Sequence, residues 1–371
     1  MAVYAHINTV PNGSTGGIMM KEHKELLAAG EDSYAFWGRG RGIENANEMR
    51  FVSDLEVKLD VLQTRLDGKA GFHSKTATKR LLARLDEIAP DVVHLHNLHG
   101  YYLNIEMLFG WLANHDCRVE WTLHDCWAFT GHCAYFTYAK CSEWKARCGD
   151  SCAQLGTYPA TFSKGSCSWN YDQKKRLFNL VPADRMELIT PSKWLADLVR
   201  QSFLAKYPVE VRYNTIDASV FKPTPSDFRE RYGIGSRFMV LGVASPWTER
   251  KGLADFIKLA NGLNSEEYAI VLVGLSEKQL KELPANIIGL ARTDSLQELA
   301  SIYTAADVFF NPTREDNYPT TLLEAQACRT SALTYLVGGC AEALSAKGSC
   351  AVVGFDAALR FIDKMRMEGG R

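Results

Sequence analysis

The sequence predicts an α/β protein with two doubly wound domains, each built on a largely parallel sheet. Short β-branched apolar runs alternate with longer helical patterns along the chain, which is typical of parallel βαβ units. The chain has 371 residues, too many for one ordinary hydrophobic core, so length alone favours two or three domains. Residues 214–237 contain Pro223 and Pro225 and few apolar residues in register, and we place the hinge between the domains there.

Four strands are predicted in the first half of the chain. They cover residues 3–7, 91–96, 118–124 and 186–190. A glycine-rich loop over residues 12–17 is expected to lead from the first strand into a helix that ends near Ala29. After the fourth strand, Pro191 and Ser192 open another helix, because proline and serine suit the first positions of a helix.

The second half repeats this alternation more regularly. Strands are predicted over residues 238–243, 268–274, 286–289, 307–312 and 331–335, and the last of them is expected to be the final strand of the sheet. Helices are predicted between them and at the end of the chain, over residues 252–263, 296–305, 322–328 and 357–367.

These elements define the predicted domains. Residues 1–213 form the first domain, with an irregular, cysteine-rich insertion at about 126–170, and residues 214–355 form the second. Residues 356–371 are expected to contain a helix that returns to the first domain. Two domains of this type that face each other leave a cleft at the carboxyl ends of both sheets, where ligands bind.

The composition excludes several classes of function. The formal net charge is −1, with 46% apolar and 23% charged residues, so the chain lacks the positive field that binding to a nucleic-acid backbone needs. No run approaches the roughly 18 apolar residues of a membrane-spanning helix. The N-terminus, MAVYAHINTV, lacks the cationic start and long apolar middle of a signal peptide, which predicts a cytoplasmic protein.

Two acidic residues follow the fourth predicted strand of the second domain. Asp316 lies in the loop after this strand, and Glu324 lies about one turn into the next helix. Pro319 at the helix start leaves the N–H groups of the first turn, near Thr320, available to an anionic phosphate. Carboxylates beside such a phosphate can accept hydrogen bonds from neutral sugar hydroxyls. The alternative is a capped helix with a solvated Asp316 and a Glu324 paired to a basic residue.

This pattern, an acidic residue, seven intervening residues and then Glu-Ala at a helix start, resembles the signature of glycosyltransferase family 4. The resemblance covers about residues 1–355 and is carried further by residues 191–195, 214–217 and 306–310, Gly338, Gly339 and Glu342. Members of this family have the GT-B fold, two Rossmann-like doubly wound domains facing a cleft. The resemblance implies a retaining hexosyltransferase that uses a nucleotide-sugar donor and needs no metal for catalysis.

The resemblance also implies roles for residues of a donor site. Glu324 is expected to bind the donor ribose hydroxyls, Asp316 to act on the transferred sugar, and Lys251 to neutralise the donor diphosphate during catalysis. The family has an arginine five residues before this lysine, where this chain has Pro246, so Arg250 is the expected substitute. The predicted donor site is completed by Asn317, Tyr318, Pro319 and Thr320.

Glycines and histidines are the candidate site residues of the first domain. By the resemblance, the glycine-rich loop faces the donor phosphates through Gly16 and Gly17, where the backbone can approach a ligand closely. His124 ends the third strand and matches a family position near the donor sugar, so we expect it to be catalytic; a structural histidine is the alternative. A further cluster consists of His94, His96 and His99. We expect one of these histidines to lie in the core and the others to line the acceptor side; metal binding is the alternative.

Four cysteines lie close together in the irregular insertion, and a four-thiolate structural zinc site would cross-link such a loop in a reducing cell. The candidate ligands are Cys133, Cys141, Cys148 and Cys152. Their spacing departs from the Cys-x-x-Cys pattern, so two disulfides, an iron–sulfur cluster and unrelated buried thiols are alternatives.

The chain also resembles a subset of the family that builds bacterial surface polysaccharides of the colanic-acid or capsule type. This resemblance is carried by Thr-Leu-His-Asp at residues 122–125, Thr-Gly-His-Cys at residues 130–133 and the clustered cysteines. This implies a glycan or lipid-linked glycan acceptor. The basic stretch from Lys69 to Arg84 suggests peripheral contact with the inner face of the membrane, with a solvated helix surface as the alternative. Two other functions remain open: a nucleotide-sugar 2-epimerase of GT-B fold, and a catalytically degenerate GT-B protein that binds nucleotide.

Overall fold

The computed structural model describes residues 1–369. The chain divides into two compact units, one over Met1–Tyr213 and a second that begins at Asn214. Each unit has a parallel sheet with helices in the connections between its strands. The fold is therefore the doubly wound α/β class that the sequence predicts.

The first unit alternates strands and helices almost throughout. Its strands are β1 (Val3–Asn8), β2 (Asp32–Trp37), β3 (Glu48–Arg50), β4 (Val92–Leu95), β5 (Arg118–Thr122), β6 (Met186–Thr190) and β7 (Val209–Val211). Its helices are α1 (Gly13–Ala28), α2 (Asp54–Asp67), α3 (Lys75–Ile88), α4 (Ile105–Asn114), α5 (Cys167–Leu177) and α6 (Lys193–Arg200). The strand order is β3-β2-β1-β4-β5-β6-β7, and it reverses direction between β1 and β4.

Strands β1 and β4 show how the sequence builds this sheet. Ala5 and Ile7 alternate with His6 along β1, and Val93 and Leu95 alternate with His94 along β4. Successive side chains of a strand point to opposite faces, so the four apolar residues join the core on one face. The register pairs His6 with His94, which brings both imidazoles to the other face.

The glycine-rich segment after β1 differs from the predicted loop. Helix α1 begins at Gly13, so Gly16 and Gly17 lie in its first two turns. Gly16 is buried, and a Cβ there would lie 2.6 Å from the carbonyl oxygen of Val10. The chain turns from strand to helix so tightly that only glycine fits at this position.

The second unit has the same alternation. Its strands are β8 (Phe238–Val243), β9 (Tyr268–Val273), β10 (Ile287–Leu290), β11 (Val308–Asn311), β12 (Ser331–Tyr335) and β13 (Cys350–Val352). Its helices are α7 (Phe228–Arg231), α8 (Leu253–Gly262), α9 (Glu277–Glu282), α10 (Leu296–Ala305), α11 (Thr320–Ala327) and α12 (Phe355–Met367). The strand order is β10-β9-β8-β11-β12-β13, with the reversal between β8 and β11.

One expectation for the C-terminal end is wrong. Strand β12 is not the last strand, because β13 pairs with it in parallel; a run of three residues is too short for periodicity to reveal. Helix α12 packs on its own unit, and its return to the first unit stays a prediction. Ala358 and Ile362 of this helix are buried in the core of the second unit, and Asp363 accepts a 2.7 Å hydrogen bond from the Tyr268 hydroxyl. The predicted residues Gly370 and Arg371 of this segment lie outside the described part of the chain.

Candidate functional site

The reversal point of the second sheet brings two loops together. In a doubly wound sheet, ligands bind at the carboxyl ends of the strands at such a point. Lys251 lies in a single 3₁₀ turn after β8, and Asp316 lies in the loop after the neighbouring strand β11. Gly252 ends the 3₁₀ turn at φ +77°, and a Cβ there would lie 2.2 Å from the Pro312 carbonyl oxygen. The two loops are therefore in direct contact.

A compact ion-pair cluster forms where these loops meet. Lys251 Nζ donates a 2.6 Å hydrogen bond to Asp316 Oδ2, and Arg250 Nη1 lies 3.5 Å from the same oxygen. Arg250 also donates to the carbonyl oxygen of Glu315. Although Arg250 and Lys251 are neighbours in the sequence, both side chains reach one carboxylate. The predicted substitute for the missing arginine is thus beside the predicted diphosphate lysine.

Asp316 is ionised in this cluster. Burial disfavours its charged form, but the charges of Lys251 and Arg250 and the hydrogen bond from Lys251 lower the pKa of the Asp316 carboxyl below its usual range. A second contact fixes the backbone, because the carbonyl oxygen of Asp316 accepts a 3.1 Å hydrogen bond from the Gly339 amide. The predicted sugar-binding carboxylate is therefore held both by its side chain and by its main chain.

Glu324 lies on α11, one turn after the loop. Its Oε2 accepts a 3.0 Å hydrogen bond from the Tyr303 hydroxyl. Burial raises the pKa of the Glu324 carboxyl, although hydrogen bonds from Tyr303 and Thr320 favour the charged form. A carboxylate has about four lone-pair positions, so these contacts leave capacity for two further donors, such as vicinal hydroxyls. Tyr303 was not predicted as part of the site, because no short motif links it to Glu324.

The remaining predicted donor-site residues lie between these two carboxylates. The Asn317 amide donates a 3.0 Å hydrogen bond to Asp316 Oδ1, and the Tyr318 carbonyl accepts one at 3.3 Å from the Asn214 side chain. Pro319 is the N-cap of α11 and Thr320 is its first residue. Proline has no side-chain acceptor, so no side chain of the N-cap residue accepts a hydrogen bond from the amide groups of the first turn. The predicted motif therefore runs without interruption from the loop into the first turn of α11.

Gly338 offers a test of how closely this loop is packed. It has φ +55°, and a Cβ there would lie 2.0 Å from the Asp316 carbonyl oxygen. We expect Gly338→Ala to lower the free energy of unfolding by about 2–4 kcal/mol, because backbone strain adds to a collision with main chain. Gly354→Ala is the matched control, since Gly354 has φ +78° and a Cβ there would meet no atom within 4 Å. Urea denaturation gives both values, and equal losses would contradict the packing.

The predicted catalytic histidine of the first unit lies in a row of buried histidines. His124 Nε2 is 3.2 Å from His96 Nδ1, and the two rings are stacked. Burial lowers the pKa of His124 to about 4, although Asp125 opposes this shift. His99 instead pairs with Asp125, with 2.7 Å between Nε2 and Oδ2. His124 is therefore a neutral imidazole connected to His96.

The same row contains two residues that sequence reasoning missed, His6 and Glu22. They contact the predicted cluster members, with Glu22 Oε2 3.2 Å from His94 Nδ1 and 3.7 Å from His96 Nε2. The sequence signal is a pair of histidines separated by one residue, His94 on β4 and His96 directly after it. The strand register that adds His6, and the helix position that adds Glu22, arise only from tertiary structure.

The cysteine-rich segment surrounds a cavity of about 160 Å³ lined by Cys133, Cys141, Cys148, Cys152 and Cys167. Hydrogen bonds from Cys133 and Cys167 lower the pKa of the Cys152 thiol and raise those of the two donors. However, the four candidate zinc ligands do not place their sulfur atoms within 4.8 Å of one another. Among residues 1–369, only one set of three or more potential ligand atoms does so, and it contains no cysteine. Zinc at this segment therefore stays a prediction.

A buried lysine near this cavity was also not predicted. Lys174 Nζ donates hydrogen bonds to the carbonyl oxygens of Trp127 and Thr130, at 2.9 Å and 3.1 Å. Burial lowers its pKa to about 7, although neighbouring thiols oppose the shift. The charge pattern of α5, with three basic residues in a row, gave no sign that one of them faces inward.

The basic stretch from Lys69 to Arg84 is partly engaged by neighbours. Arg80 donates a 2.6 Å hydrogen bond to Glu56, and Arg84 donates one at 2.7 Å to Glu87. Within the described chain, no helix combines the length and the apolar character needed to cross a membrane.

The sequence of the chain is similar to those of known proteins. Residues 237–366 match the family model described as "Glycosyl transferases group 1". The chain is 27% identical over 197 residues to the putative colanic acid biosynthesis glycosyl transferase WcaC of Escherichia coli K12, covering 50% of this chain and 47% of that protein. It is 22% identical over 315 residues to glycogen synthase of Streptococcus sanguinis SK36, covering 74% of this chain and 63% of that protein. The chain thus spans less than two thirds of the length of these relatives.

Solved structures show the same fold. Sucrose-phosphate synthase from Thermosynechococcus elongatus superposes with a TM-score of 0.70 at 14% identity, over 99% of this chain and 90% of that one. Anabaena Alr3699/HepE in complex with UDP and glucose superposes with a TM-score of 0.63 at 12% identity, over 98% and 90%.

The fold is therefore GT-B, the fold of a large class of glycosyltransferases, and residues 237–366 match the glycosyl transferases group 1 model. This domain contains Lys251, Asp316 and Glu324. The resemblance of the chain to GT-B glycosyltransferases of surface-polysaccharide synthesis, expected from its motifs, is confirmed.

Proposed function

We propose that this chain is a retaining glycosyltransferase. It transfers a sugar from a nucleotide-sugar donor to a glycan or lipid-linked glycan acceptor in the synthesis of a surface polysaccharide. One observation carries the proposal: Lys251, Asp316 and Glu324 lie on adjoining segments of the reversal point of the group 1 domain. The relationship to WcaC supports the polysaccharide context.

In the proposed complex, the donor diphosphate lies against Lys251 and the first turn of α11. The lysine ammonium has three donors, so it can donate to Asp316 and to a phosphate oxygen together. Glu324 accepts hydrogen bonds from the ribose, and Asp316 accepts them from the transferred sugar. No metal enters this arrangement, because the lysine, Arg250 and the helix amides supply the positive charge.

The proposed chemistry retains the anomeric configuration. The acceptor oxygen bonds to the anomeric carbon on the face where the bond to the diphosphate oxygen breaks, and the acceptor proton passes to that diphosphate oxygen. Lys251 and the amides near Thr320 stabilise the negative charge that grows on the leaving group. His124, which is neutral and buried in the first unit, is proposed to contact the sugar. Gly16 and Gly17 are proposed to contact the donor phosphates.

Incubation of the full chain with UDP-, GDP- and dTDP-sugars tests the proposal. We expect one donor to be hydrolysed slowly without acceptor, and faster transfer to glycan acceptors with a product that keeps the donor's anomeric configuration by NMR. Interconversion of the donor sugar without release of nucleotide would indicate the 2-epimerase instead. Tight nucleotide binding with neither reaction would indicate a degenerate binding protein.

We also propose that the reaction takes place in the cytoplasm, with peripheral contact at the inner face of the membrane. The support is the basic stretch on α3 and the surface-polysaccharide relative. Co-sedimentation with vesicles of phosphatidylglycerol and phosphatidylcholine measures this contact. Binding that disappears when Lys75 and Lys79 are replaced by glutamine would support it, and equal binding of the variant would contradict it.

A further inference from the structure

A cluster of potential ligand atoms lies in the first unit. His6, Glu22, His94 and His96 each direct one nitrogen or oxygen atom toward a common centre, and these four atoms lie within 4.8 Å of one another. The three histidines are at most 3% exposed. Three imidazole nitrogens and one carboxylate oxygen are a typical ligand set for Zn²⁺ and similar divalent transition metals.

The position of the cluster follows from the fold. His6 lies on β1 and His94 on β4, the two strands at the reversal point of the first sheet, and their register places them side by side. His96 follows β4 directly, and Glu22 reaches them from α1, the helix that follows β1. A bound ion would therefore join two neighbouring strands to the helix that packs on them.

The hydrogen bonds around the cluster leave the inward atoms available. His94 Nε2 lies 2.8 Å from Thr122 Oγ1, while its Nδ1 faces Glu22. His96 Nδ1 lies 3.2 Å from His124 Nε2, while its Nε2 faces Glu22. Metal-bound histidines usually use their second nitrogen in this way, as donors that fix the ring orientation.

Three of the four inward atoms have no hydrogen-bond partner within the described residues. Neither ring nitrogen of His6 has a hydrogen-bond partner in the part of the chain that the structure describes, and the same holds for His96 Nε2 and Glu22 Oε2. Unpartnered buried polar atoms are costly, so three at one centre need a physical reason. An ion would satisfy one nitrogen of His6, Nε2 of His96 and Oε2 of Glu22 together.

The distances are close to those of a filled site. Two ligands of a tetrahedral Zn²⁺ lie roughly 3.3 Å apart, given metal–ligand bonds near 2.0 Å. The Glu22 oxygen is already 3.2 Å from one histidine nitrogen and 3.7 Å from another. The remaining pairs of ligand atoms lie within 4.8 Å of one another, so binding of an ion requires these atoms to move closer together. The Glu22 side chain is 26% exposed, which provides a path for the ion to enter.

We propose that His6, Glu22, His94 and His96 form a structural site for a divalent transition metal, with Zn²⁺ as the ion that best fits. All four positions of a tetrahedral ion are taken by protein ligands, so the ion is not a catalyst. Because metal on His96 Nε2 leaves the proton on Nδ1, His96 donates to His124 Nε2 and so positions it. This inference does not depend on the proposed function, since a chain that transfers no sugar would still bind the ion.

Metal analysis of the full chain tests the proposal. The protein is purified without a histidine tag and its metal content is measured before and after dialysis against chelator. We expect about one Zn²⁺ per chain, and a rise of several degrees in Tm when Zn²⁺ is returned to the stripped protein. Cobalt in place of zinc should give visible absorption bands without a thiolate charge-transfer band. Absence of bound metal, with no change in Tm or cobalt absorption, would overturn the proposal.

Variants assign the ion to its ligands. The double variant His6→Gln with His96→Gln should lose the metal. The variant His23→Gln should keep it, since His23 is buried on the same helix as Glu22 but is not one of the four ligands. Cys133→Ser with Cys152→Ser should also keep it. Loss of metal from the cysteine variant together with a cobalt–thiolate band would place the ion in the cysteine-rich segment and overturn the histidine site. If the histidine variant does not fold, the cobalt spectrum of the unaltered chain decides.

Discussion

Lys251→Met is expected to lower kcat/KM for sugar transfer by about 10²–10³-fold, the usual effect of removing one charge-stabilising donor from a transition state. The ammonium group lies 2.6 Å from Asp316, at the carboxyl end of a strand at the sheet reversal point. In the proposed reaction it faces charge that grows on the leaving diphosphate. Lys278→Met is the control, because Lys278 is 83% exposed and has only a distant glutamate partner.

A double variant separates this role from a structural one. Lys251 also neutralises Asp316, so Lys251→Met leaves a buried carboxylate with Arg250 alone. If the lysine serves only that carboxylate, Lys251→Met with Asp316→Asn should restore nucleotide affinity to the level of Asp316→Asn alone. If the lysine binds the diphosphate, affinity should stay low in the double variant, and we expect this result from isothermal titration.

The stability of the single variant should depend on pH in a definite direction. The pKa of Asp316 is lowered in the folded chain, so its ion pair stabilises the fold above the ordinary aspartate pKa and is lost as pH falls through the folded value. Lys251→Met should therefore unfold at lower urea than the unaltered chain near neutral pH. The difference should shrink in acid, as measured by urea denaturation across pH.

Glu324→Gln is expected to weaken nucleoside diphosphate binding by about 10–100-fold, since hydrogen bonds to a charged acceptor are worth more than those to an amide. The discriminating measurement uses nucleotides without ribose hydroxyls. The unaltered chain should prefer the ribonucleotide to its 2′,3′-dideoxy form, and the variant should lose most of that preference. Glu282→Gln, on the exposed surface of α9, is the control.

The same variant should not destabilise the unliganded fold. Burial raises the pKa of Glu324, so the folded chain binds the carboxyl proton more tightly than the unfolded chain does, and stability is lost as pH rises from the ordinary glutamate pKa through the folded one. An amide carries no such cost and still accepts from Tyr303. We therefore expect the Tm of Glu324→Gln at neutral pH to equal or exceed that of the unaltered chain. A clear fall in Tm together with weaker binding would indicate a structural role.

The sequence predicts the second unit better than the first for a physical reason. Strands such as β8 and β9 are continuous apolar runs, because a parallel sheet is covered on both faces. Strand β2 reads Asp-Ser-Tyr-Ala-Phe-Trp, which shows no β-branched run, and it becomes a strand by pairing with β1. Strands β3 and β13 have three residues each, below any period that a pattern can reveal.

The residues of the candidate site also differ in how far the sequence alone predicts them. Asp316 and Glu324 could be predicted because one loop and one helix place them at a fixed spacing. The Lys251–Asp316 pair spans 65 positions in the chain and depends on strand order, which pattern alone does not specify. The histidine cluster combines residues of β1, α1 and β4, so only the fold brings His6 to His94. The sequence indicates that histidines could bind a metal here, but it does not show which residues form the cluster.

The most direct test of the central claim is isothermal titration of nucleoside diphosphates into the full chain and into the variant that carries both Lys251→Met and Glu324→Gln. We expect the unaltered chain to bind one nucleoside diphosphate, and the variant to bind it at least about 10³-fold more weakly, since two charge-assisted contacts are lost. Undiminished affinity in a variant that remains folded would mean that the nucleotide lies elsewhere, and would contradict the assignment of the donor site.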